Sequence, residues 1–338
     1  MKKFTVECAG EFGLIDRINH DFVNRPELLK IGSGDDGAVY TSLPGWDQVI
    51  STDTMAEGIH FKAETMAPYD VGYKLCASNF SDMAAMGAVP TGFVVSAALP
   101  KELPVSWVER CYDGIRDCCR KYAANMLGGD MTGSPGGIIL TGTVVGLVPQ
   151  DQAVLRSGAR KGDLIFVTGT VGDSAAGLSA ILHHQGKRYP YLAQRHQRPE
   201  PQVEWGQKLR EAGATSLNDV SDGLSSELNE IARASRAVLE IEAEKIPLSQ
   251  EARDWGREIH EDPLKWALDG GEDYQLIGTI PPENFRAMKD RRGLTVIGRV
   301  SEDSDIGVYI RYNKDRMKLE ACGYNHFKKT QEERKCTH

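Results

Sequence analysis

Hydrophobic and polar positions follow two periodicities along this chain, and together they predict a mixed α/β protein. Residues 69–88 carry apolar side chains at helical spacing, and a second helix is predicted from about Ser106, which is its candidate N-cap. The polar residues 183–202 predict a loop and a docking segment. Apolar runs at 92–99, 138–148 and 164–168 have the length of buried strands, and 238–242, 294–300 and 306–312 read as further strands. Both halves of the chain follow a strand, acidic turn and helix order.

The break between the halves is predicted near Pro149. This proline is followed by the polar residues Gln-Asp-Gln, and a length of 338 residues favours two domains. We therefore predict an N-terminal domain over 1–149 and a C-terminal α/β domain over 150–338.

Aspartates beside glycine or serine recur in five short segments. They are SGDDGAV at 33–39, STDTM at 51–55, NFSDMAAMGA at 79–88, LGGDMTG at 127–133 and NDVSDGLSSEL at 218–228. The strand through Val49 and Ile50 is expected to end at Ser51, Thr52 and Asp53, and LGGD is expected to form a turn. Oxygen ligands of this kind suit Mg²⁺. In the last segment, Asp219, Ser221 and Asp222 precede a predicted helix, and helix capping would explain only one of the three.

The first segment overlaps a G-x-G-x-x-G pattern at Gly32, Gly34 and Gly37. A dinucleotide-binding loop is the alternative reading, but no clear strand precedes it and two aspartates occupy the phosphate position. A metal-binding turn at Asp36 is favoured, and a solvated Asp-Gly turn remains the structural alternative.

Composition excludes several other classes of protein. The net charge of −8 makes nucleic-acid binding unexpected. Seven cysteines without a CxxC pair suggest reduced thiols in a cytoplasmic protein. No apolar run has the length of a signal peptide or of a membrane span, so neither is expected.

Carboxylates without a His-rich or Cys-rich cluster favour Mg²⁺ over zinc. Several Mg²⁺ sites usually accompany a polyphosphate substrate, because metal ions neutralise phosphate oxygens. Arg156 precedes a strand, glycine and helix segment that can hold phosphate, although a solvated arginine is the default interpretation. No P-loop pattern occurs. The residues thus predict ATP- and Mg²⁺-dependent phosphoryl chemistry without naming the acceptor.

The order of the motifs resembles the thiamine-monophosphate kinase family from about Gly10 to Phe327. The resemblance rests on SGDDGAV, ISTDTMAEGIHF, NFSDMAAMGAVP, LGGDMT, LRSGARKGD, VTGTVGDSAAGL, DVSDGL, GGEDYQL and GYNHF. It implies a two-domain α/β (α+β) fold similar to aminoimidazole ribonucleotide synthetase, with N-terminal mixed sheets that form a barrel-like interface in a homodimer. It implies direct transfer of the ATP γ-phosphate to thiamine monophosphate, the last step of thiamine diphosphate biosynthesis.

The same resemblance implies a set of site residues. The implied magnesium ligands are Asp36, Ser51, Thr52, Asp53, Asp82, Asp130, Asp219 and Asp222. The implied ATP contacts are Gly129, Asp130, Arg156 and Ser221, with Tyr112 on the adenine side. The implied thiamine monophosphate contacts are His60, Glu272 and Tyr324. Asp53, Asp82 and Asp130 are the implied catalytic residues.

Two alternatives remain open from the sequence. One is another ATP-dependent enzyme of the same superfamily, such as an aminoimidazole ribonucleotide synthetase, which a different product would reveal. The other is a non-catalytic sensor of nucleotides or thiamine phosphates, which ATP turnover would exclude. Tyr324 has its own alternative, since it could pack the C-terminal segment instead of contacting the acceptor ring.

Overall fold

Two large sheets and the helices between them build the molecule. The computed structural model describes residues 5, 17–18, 23–31, 39–40, 43–301, 305–313 and 315–323. The predicted site residues Asp36 and Tyr324 lie outside these described residues.

Nine α-helices lie wholly within the described part of the chain. They are α1 (Pro68–Ala85), α2 (Val105–Lys121), α3 (Asp173–Leu182), α4 (Pro190–Gln197), α5 (Val203–Glu211), α6 (Leu224–Ser235), α7 (Gln250–Ile259), α8 (Pro263–Asp269) and α9 (Pro282–Ala287). Two short 3₁₀ helices cover Pro26–Leu28 and Ala243–Lys245.

Thirteen strands accompany these helices in the same part of the chain. They are β1 (Leu29–Ile31), β2 (Val39–Tyr40), β3 (Trp46–Ala56), β4 (Val89–Leu99), β5 (Asn125–Gly133), β6 (Ile139–Pro149), β7 (Leu164–Thr168), β8 (Ser216–Asp219), β9 (Val238–Glu242), β10 (Leu276–Ile280), β11 (Leu294–Val300), β12 (Gly307–Tyr312) and β13 (Asp315–Lys318).

The first half of the chain forms a four-stranded sheet in the order β3-β6-β4-β5, with β4 and β5 parallel and the other pairs antiparallel. The second half forms a seven-stranded sheet in the order β13-β12-β9-β11-β7-β10-β8. In it only β9 and β12 pair in parallel. Strands β1 and β2 form a separate antiparallel pair. The mixed α/β class predicted from the sequence is confirmed; the described strands form no closed barrel.

Helix α1 packs against both large sheets, because it contacts β3, β6 and β8. Its side chains are mostly buried, including Leu75, Cys76, Phe80 and Met83. A helix that is apolar or small on all sides belongs in a core. It therefore brings residues of the two sheets together, and one hydrophobic cluster runs from β4 through α1 to β7 and β10.

Two acidic turns predicted from the sequence are strand interiors. Strand β3 continues past Asp53 to Ala56, so Ser51, Thr52 and Asp53 do not mark its end. The LGGD segment lies within β5, where Gly128 has a φ of 143° and the pairing with β4 shifts register. Glycine-rich segments favour turns, but here the neighbouring strand β4 pairs with the whole segment.

Three local predictions are also wrong. Pro104 precedes α2 where a Ser106 cap was expected, and Gly223 precedes α6, so no serine or aspartate side chain of 219–222 caps that helix. The polar stretch 183–202 was expected to be a loop, but it contains α4. Leu192 and His196 of this helix are buried, and packing against its neighbours overrides the polar composition. Among the described residues, no helix is long and apolar enough to cross a membrane.

Candidate active site

A cavity of about 840 Å³ lies where the two halves of the molecule meet. It is lined by residues of β3, α1, α3 and the ends of β8 and α8. Eight of the predicted site residues line it, although they are spread over more than 200 residues of sequence. They are Thr52, Asp53, His60, Asp82, Asp219, Ser221, Asp222 and Glu272.

One end of the cavity is acidic. Asp53 comes from β3, Asp82 from the last turn of α1 and Asp219 from the end of β8. Serine hydroxyls hold two of these carboxylates: Ser51 donates to Asp82 at 2.5 Å and Ser81 donates to Asp219 at 2.7 Å. Ser51 therefore supplies the partner that the partly buried Asp82 carboxylate requires.

The three carboxylates disfavour one another's charge. Burial, followed by the charges of Asp219 and Asp53, raises the pKa of Asp82 to about 8. Burial and Glu227 raise the pKa of Asp219 to about 7. The pKa of Asp53 is raised by burial, and the hydroxyl of Ser78 opposes this shift. Such a group of repelling carboxylates favours a bound cation.

Thr52 differs from its neighbours because side chains alternate along a strand. Its hydroxyl donates to the backbone oxygen of Gly142 at 2.7 Å and lies 3.1 Å from that of Thr143. Both partners belong to β6, so this hydroxyl is engaged within the sheet. Ser51 does not line the cavity and acts on it through Asp82.

The other end of the cavity combines apolar and polar side chains. Ile59 and Phe61 come from the segment after β3, and Leu178 and Leu182 come from α3. His60 lies among them, and its Nδ1 accepts a hydrogen bond of 3.0 Å from the backbone of Ala56. A flat heterocyclic ring is a suitable occupant of this end.

Glu272 lies on a tightly held loop in the cavity lining. Its backbone N–H donates to Ser221 O at 2.7 Å and its φ is 67°. A Cβ on the preceding Gly271 would lie 2.3 Å from the same Ser221 oxygen, so only glycine fits there. Glu272 Oε2 lies 2.7 Å from Lys74 Nζ and 3.6 Å from His196 Nδ1.

Arg156 lies beside the acidic end rather than in the cavity lining. Its Nε donates to Asn218 Oδ1 at 2.9 Å, and its guanidinium pairs with Glu230 at 3.1 Å. Its charge lowers the pKa of both Asp82 and Asp219, against the larger effect of burial. The arginine side chain is exposed, so it is accessible to a ligand at the edge of the cavity.

Asn218 and Glu227 connect Arg156 to the Ser221 loop. Asn218 Nδ2 donates to Glu227, and the same carboxylate accepts hydrogen bonds from Ser221 Oγ at 3.2 Å and from the backbone of Asp222 at 3.0 Å. Two predicted ATP contacts, Arg156 and Ser221, are thus joined by one hydrogen-bond network.

Three predicted residues lie away from the cavity. Gly129 and Asp130 are on β5, at the opposite edge of the four-stranded sheet from Asp53. A Cβ on Gly129 would lie 2.1 Å from Val95 O, so sheet packing alone requires this glycine. Tyr112 is 4% exposed within the core on α2, and burial raises its pKa. Their ligand contacts stay predictions.

The sequence analysis missed Lys74, Ser78, His196, Asn218 and Glu227. The signal for Lys74 was available, since it is the one lysine within the small and apolar residues of 71–88. Ser78 and His196 could not be found, because Ser78 matters only through Asp53 and the 183–202 segment was expected to be a loop. Asn218 and Glu227 lie in the NDVSDGLSSEL segment, but their role depends on hydrogen bonds to Arg156, Ser221 and Asp222.

Comparison with known proteins agrees with this architecture. Two family models match the chain: AIR synthase related protein, N-terminal domain, over residues 34–148, and AIR synthase related protein, C-terminal domain, over residues 160–311. The fold and the acidic cavity therefore define an AIR synthase related protein.

Individual relatives narrow the class. The thiamine-monophosphate kinase of Bacillus subtilis (strain 168) is 38% identical over 328 residues, which cover 94% of this chain and 99% of that protein. The chain belongs to the thiamine-monophosphate kinase family. The crystal structure of the thiamine-monophosphate kinase from Stenotrophomonas maltophilia K279a superimposes with a TM-score of 0.80 at 34% identity, covering 92% of this chain and 98% of that one. A structure described as AaThiL complexed with AMPPCP and TMP superimposes with a TM-score of 0.77 at 36% identity. The superposition covers 94% of this chain and 97% of that one.

Proposed function

We propose that the protein transfers the γ-phosphate of ATP to the phosphate of thiamine monophosphate, giving thiamine diphosphate. The observation that carries this proposal is the gathering of eight predicted site residues around one cavity with an acidic and a ring-binding end. The full-length similarity to thiamine-monophosphate kinases supports it. So does the related structure described as holding AMPPCP and TMP.

We further propose that the acidic end binds Mg²⁺. Its donors are carboxylate and hydroxyl oxygens, which Mg²⁺ prefers. Among the described residues, no three His, Cys, Asp or Glu side chains form a preformed metal-binding group. In phosphoryl-transfer sites, Mg²⁺ is usually held by a few carboxylates together with water and substrate phosphates. Asp53, Asp82 and Asp219 are the residues that would hold it, and when bound it neutralises phosphate oxygens.

The chain's own residues then align two anions. The attacking oxygen belongs to a phosphate that is ionised at neutral pH, so no strong general base is needed. Arg156 binds phosphate oxygens at the edge of the cavity, and His60 and Glu272 hold the ring end of the acceptor. Alignment and charge stabilisation therefore supply the rate enhancement.

A coupled assay with ATP, Mg²⁺ and thiamine monophosphate tests this function. We expect stoichiometric ADP and thiamine diphosphate. ATP turnover only with a ribonucleotide acceptor would instead identify a synthetase, and binding without turnover would identify a sensor. We also propose that the protein carries out this reaction in the cytoplasm.

Arg156→Ala is expected to raise the KM for ATP about tenfold and to leave the KM for thiamine monophosphate unchanged. A charge-assisted hydrogen bond to phosphate is lost. Arg156→Lys should keep only part of the affinity, because lysine lacks the planar fork. Arg160→Ala, at an exposed arginine four residues away, is the matched control. Equal changes in both KM values would contradict the assignment.

We also propose a homodimer that forms through the four-stranded sheet. The face of this sheet opposite α1 exposes Ile50 by 71% and Ile139 by 44%. Its two edge strands, β3 and β5, each pair with a single neighbour in the described part of the chain. An exposed edge beside apolar side chains favours pairing with a second copy.

The dimer would also explain the position of Asp130. Thr54, Thr141, Ser96 and Asp130 lie in one row across the sheet. Three strand spacings, roughly 14 Å, separate the first from the last. Asp130 therefore lies far from Asp53 of its own chain, whereas Asp130 of the partner subunit would lie next to β3, the strand that carries Asp53, if β5 of one copy lies along β3 of the other.

Complementation tests this arrangement. Asp53→Asn and Asp130→Asn chains are each expected to be inactive, and a mixed dimer should contain one intact site. Co-expression should then restore about a quarter of wild-type activity, since half of the dimers are mixed. If both aspartates act within one chain, the mixture stays inactive. Light scattering of each variant checks that dimers form.

A further inference from the structure

Lys74 of α1 is a buried lysine that the proposed reaction does not yet use. It is 1% exposed, and its Nζ lies 2.7 Å from Glu272 Oε2. Burial lowers the pKa of Lys74, while the charge of Glu272 opposes that shift. No hydroxyl, amide or backbone oxygen of a described residue accepts a hydrogen bond from this ammonium. Glu272 is therefore the one group in this part of the structure that compensates a fully buried charge.

The two carboxylate oxygens of Glu272 have different surroundings. Its Oε2 faces Lys74 and, more distantly, His196, whereas Oε1 makes no hydrogen bond or ion pair with a described residue. The side chain is 26% exposed and lines the cavity. Lys74 does not line the cavity. Glu272 is therefore the cavity residue through which this lysine acts by direct contact.

His196 of α4 is the third side chain in contact with this pair. It is 2% exposed, and its Nδ1 lies 3.2 Å from Ser174 Oγ. Burial, followed by the charge of Lys74, lowers the pKa of His196 well below its ordinary value. A neutral imidazole leaves Lys74 and Glu272 as the charged pair, with one positive and one negative charge.

Stabilisation of the fold is a poor explanation for the buried Lys74–Glu272 ion pair. Replacing a buried ion pair by apolar side chains is often neutral or stabilising. The pair instead fixes one carboxylate oxygen, so that the other is presented to the cavity as a charged acceptor. A ligand group that donates a hydrogen bond, such as an amino group on an aromatic ring, is the chemistry that such an oxygen binds.

We propose that Lys74 is a positioning residue of the acceptor site, which holds Glu272 with Oε1 presented to the ring end of the bound acceptor. This inference rests on the proposed function. It predicts that Lys74 affects recognition of the acceptor ring and does not affect ATP.

The test is a double-mutant cycle in the full-length enzyme. Lys74→Met keeps the length and removes the charge, and it should raise the KM for thiamine monophosphate about tenfold with the KM for ATP unchanged. Glu272→Gln should raise the same KM, and adding Lys74→Met to it should cause no further rise. Lys121→Met is the matched control, because Lys121 pairs with Glu200 at 2.8 Å on the surface.

Each outcome decides the proposal. Additive increases, or an unchanged acceptor KM in a folded Lys74→Met enzyme, would overturn it. If that single variant does not fold, the double variant, which buries no unpaired charge, is compared with Glu272→Gln alone, and a further tenfold rise in KM again overturns it. A wild-type enzyme that does not phosphorylate thiamine monophosphate would overturn the proposed function instead.

Discussion

Asp53→Asn is expected to lower kcat by at least a hundredfold, with a folded and dimeric protein. Asp53 lies on the buried side of β3, where Ser78 favours its ionised form. Asparagine keeps the size of the side chain and its acceptor oxygen but removes the negative charge. The cation proposed to offset the phosphate charges would then bind poorly, and that offset is the main source of catalysis in phosphoryl transfer.

Initial rates across a range of Mg²⁺ concentrations measure this effect. Asp47→Asn is the control, since Asp47 lies on the same strand, is exposed, and accepts a hydrogen bond of 2.8 Å from the backbone of Asp151. The control should keep wild-type kcat. Near-normal turnover of Asp53→Asn at saturating Mg²⁺ would remove Asp53 from the metal site.

Asp82→Asn is expected to abolish activity and, in a chelator, to raise the melting temperature by roughly 2–4 °C. Asp82 faces two other carboxylates, and burial raises its pKa to about 8. The amide cannot ionise, so folding no longer has to keep this group protonated or charged beside two carboxylates, and its oxygen still accepts the hydrogen bond from Ser51. Stability and activity should therefore change in opposite directions, as is common where a site stores unfavourable charge.

Thermal unfolding with EDTA and with Mg²⁺ plus ATP separates the two effects. The increase should appear only without the cation, because a bound cation stabilises the wild type selectively. Asp113→Asn on α2 is the control. Asp113 pairs with Arg110 at 2.8 Å and with Arg116 at 2.7 Å, so its loss should not stabilise the protein. A lower melting temperature for Asp82→Asn in EDTA would contradict the repulsion.

The sequence predicts regular elements well where one periodicity dominates. Helix α1 was predicted over 69–88 and is found at Pro68–Ala85, and the strand predicted at 238–242 is found at Val238–Glu242. The prediction is poor for glycine-rich segments. LGGD has the composition of a turn, yet strand pairing with β4, a contact distant in sequence, makes it part of β5.

The sequence predicts only part of the site, because local motifs identify single residues but not their contacts with distant parts of the chain. Asp53, Asp82 and Asp219 each stand in a recognisable acidic motif, and the fold brings them together. Their support depends on partners far along the chain, such as Ser51 for Asp82 and Ser81 for Asp219. Likewise, the distance of Asp130 from Asp53 follows from strand order, which no local pattern encodes. Asp36 and Tyr324 keep the status of predictions.

Helix α1 also fixes the distance between two parts of the site. It carries Lys74, which fixes Glu272, and Asp82, which belongs to the acidic end, eight residues further on. A rise of 1.5 Å per residue separates these positions by roughly 12 Å along the helix axis. Because the helix is rigid and buried, the distance between the groups that it positions is fixed. For the proposed reaction, we expect an acceptor whose ring and phosphate are joined by a shorter or longer linker to be a poorer substrate.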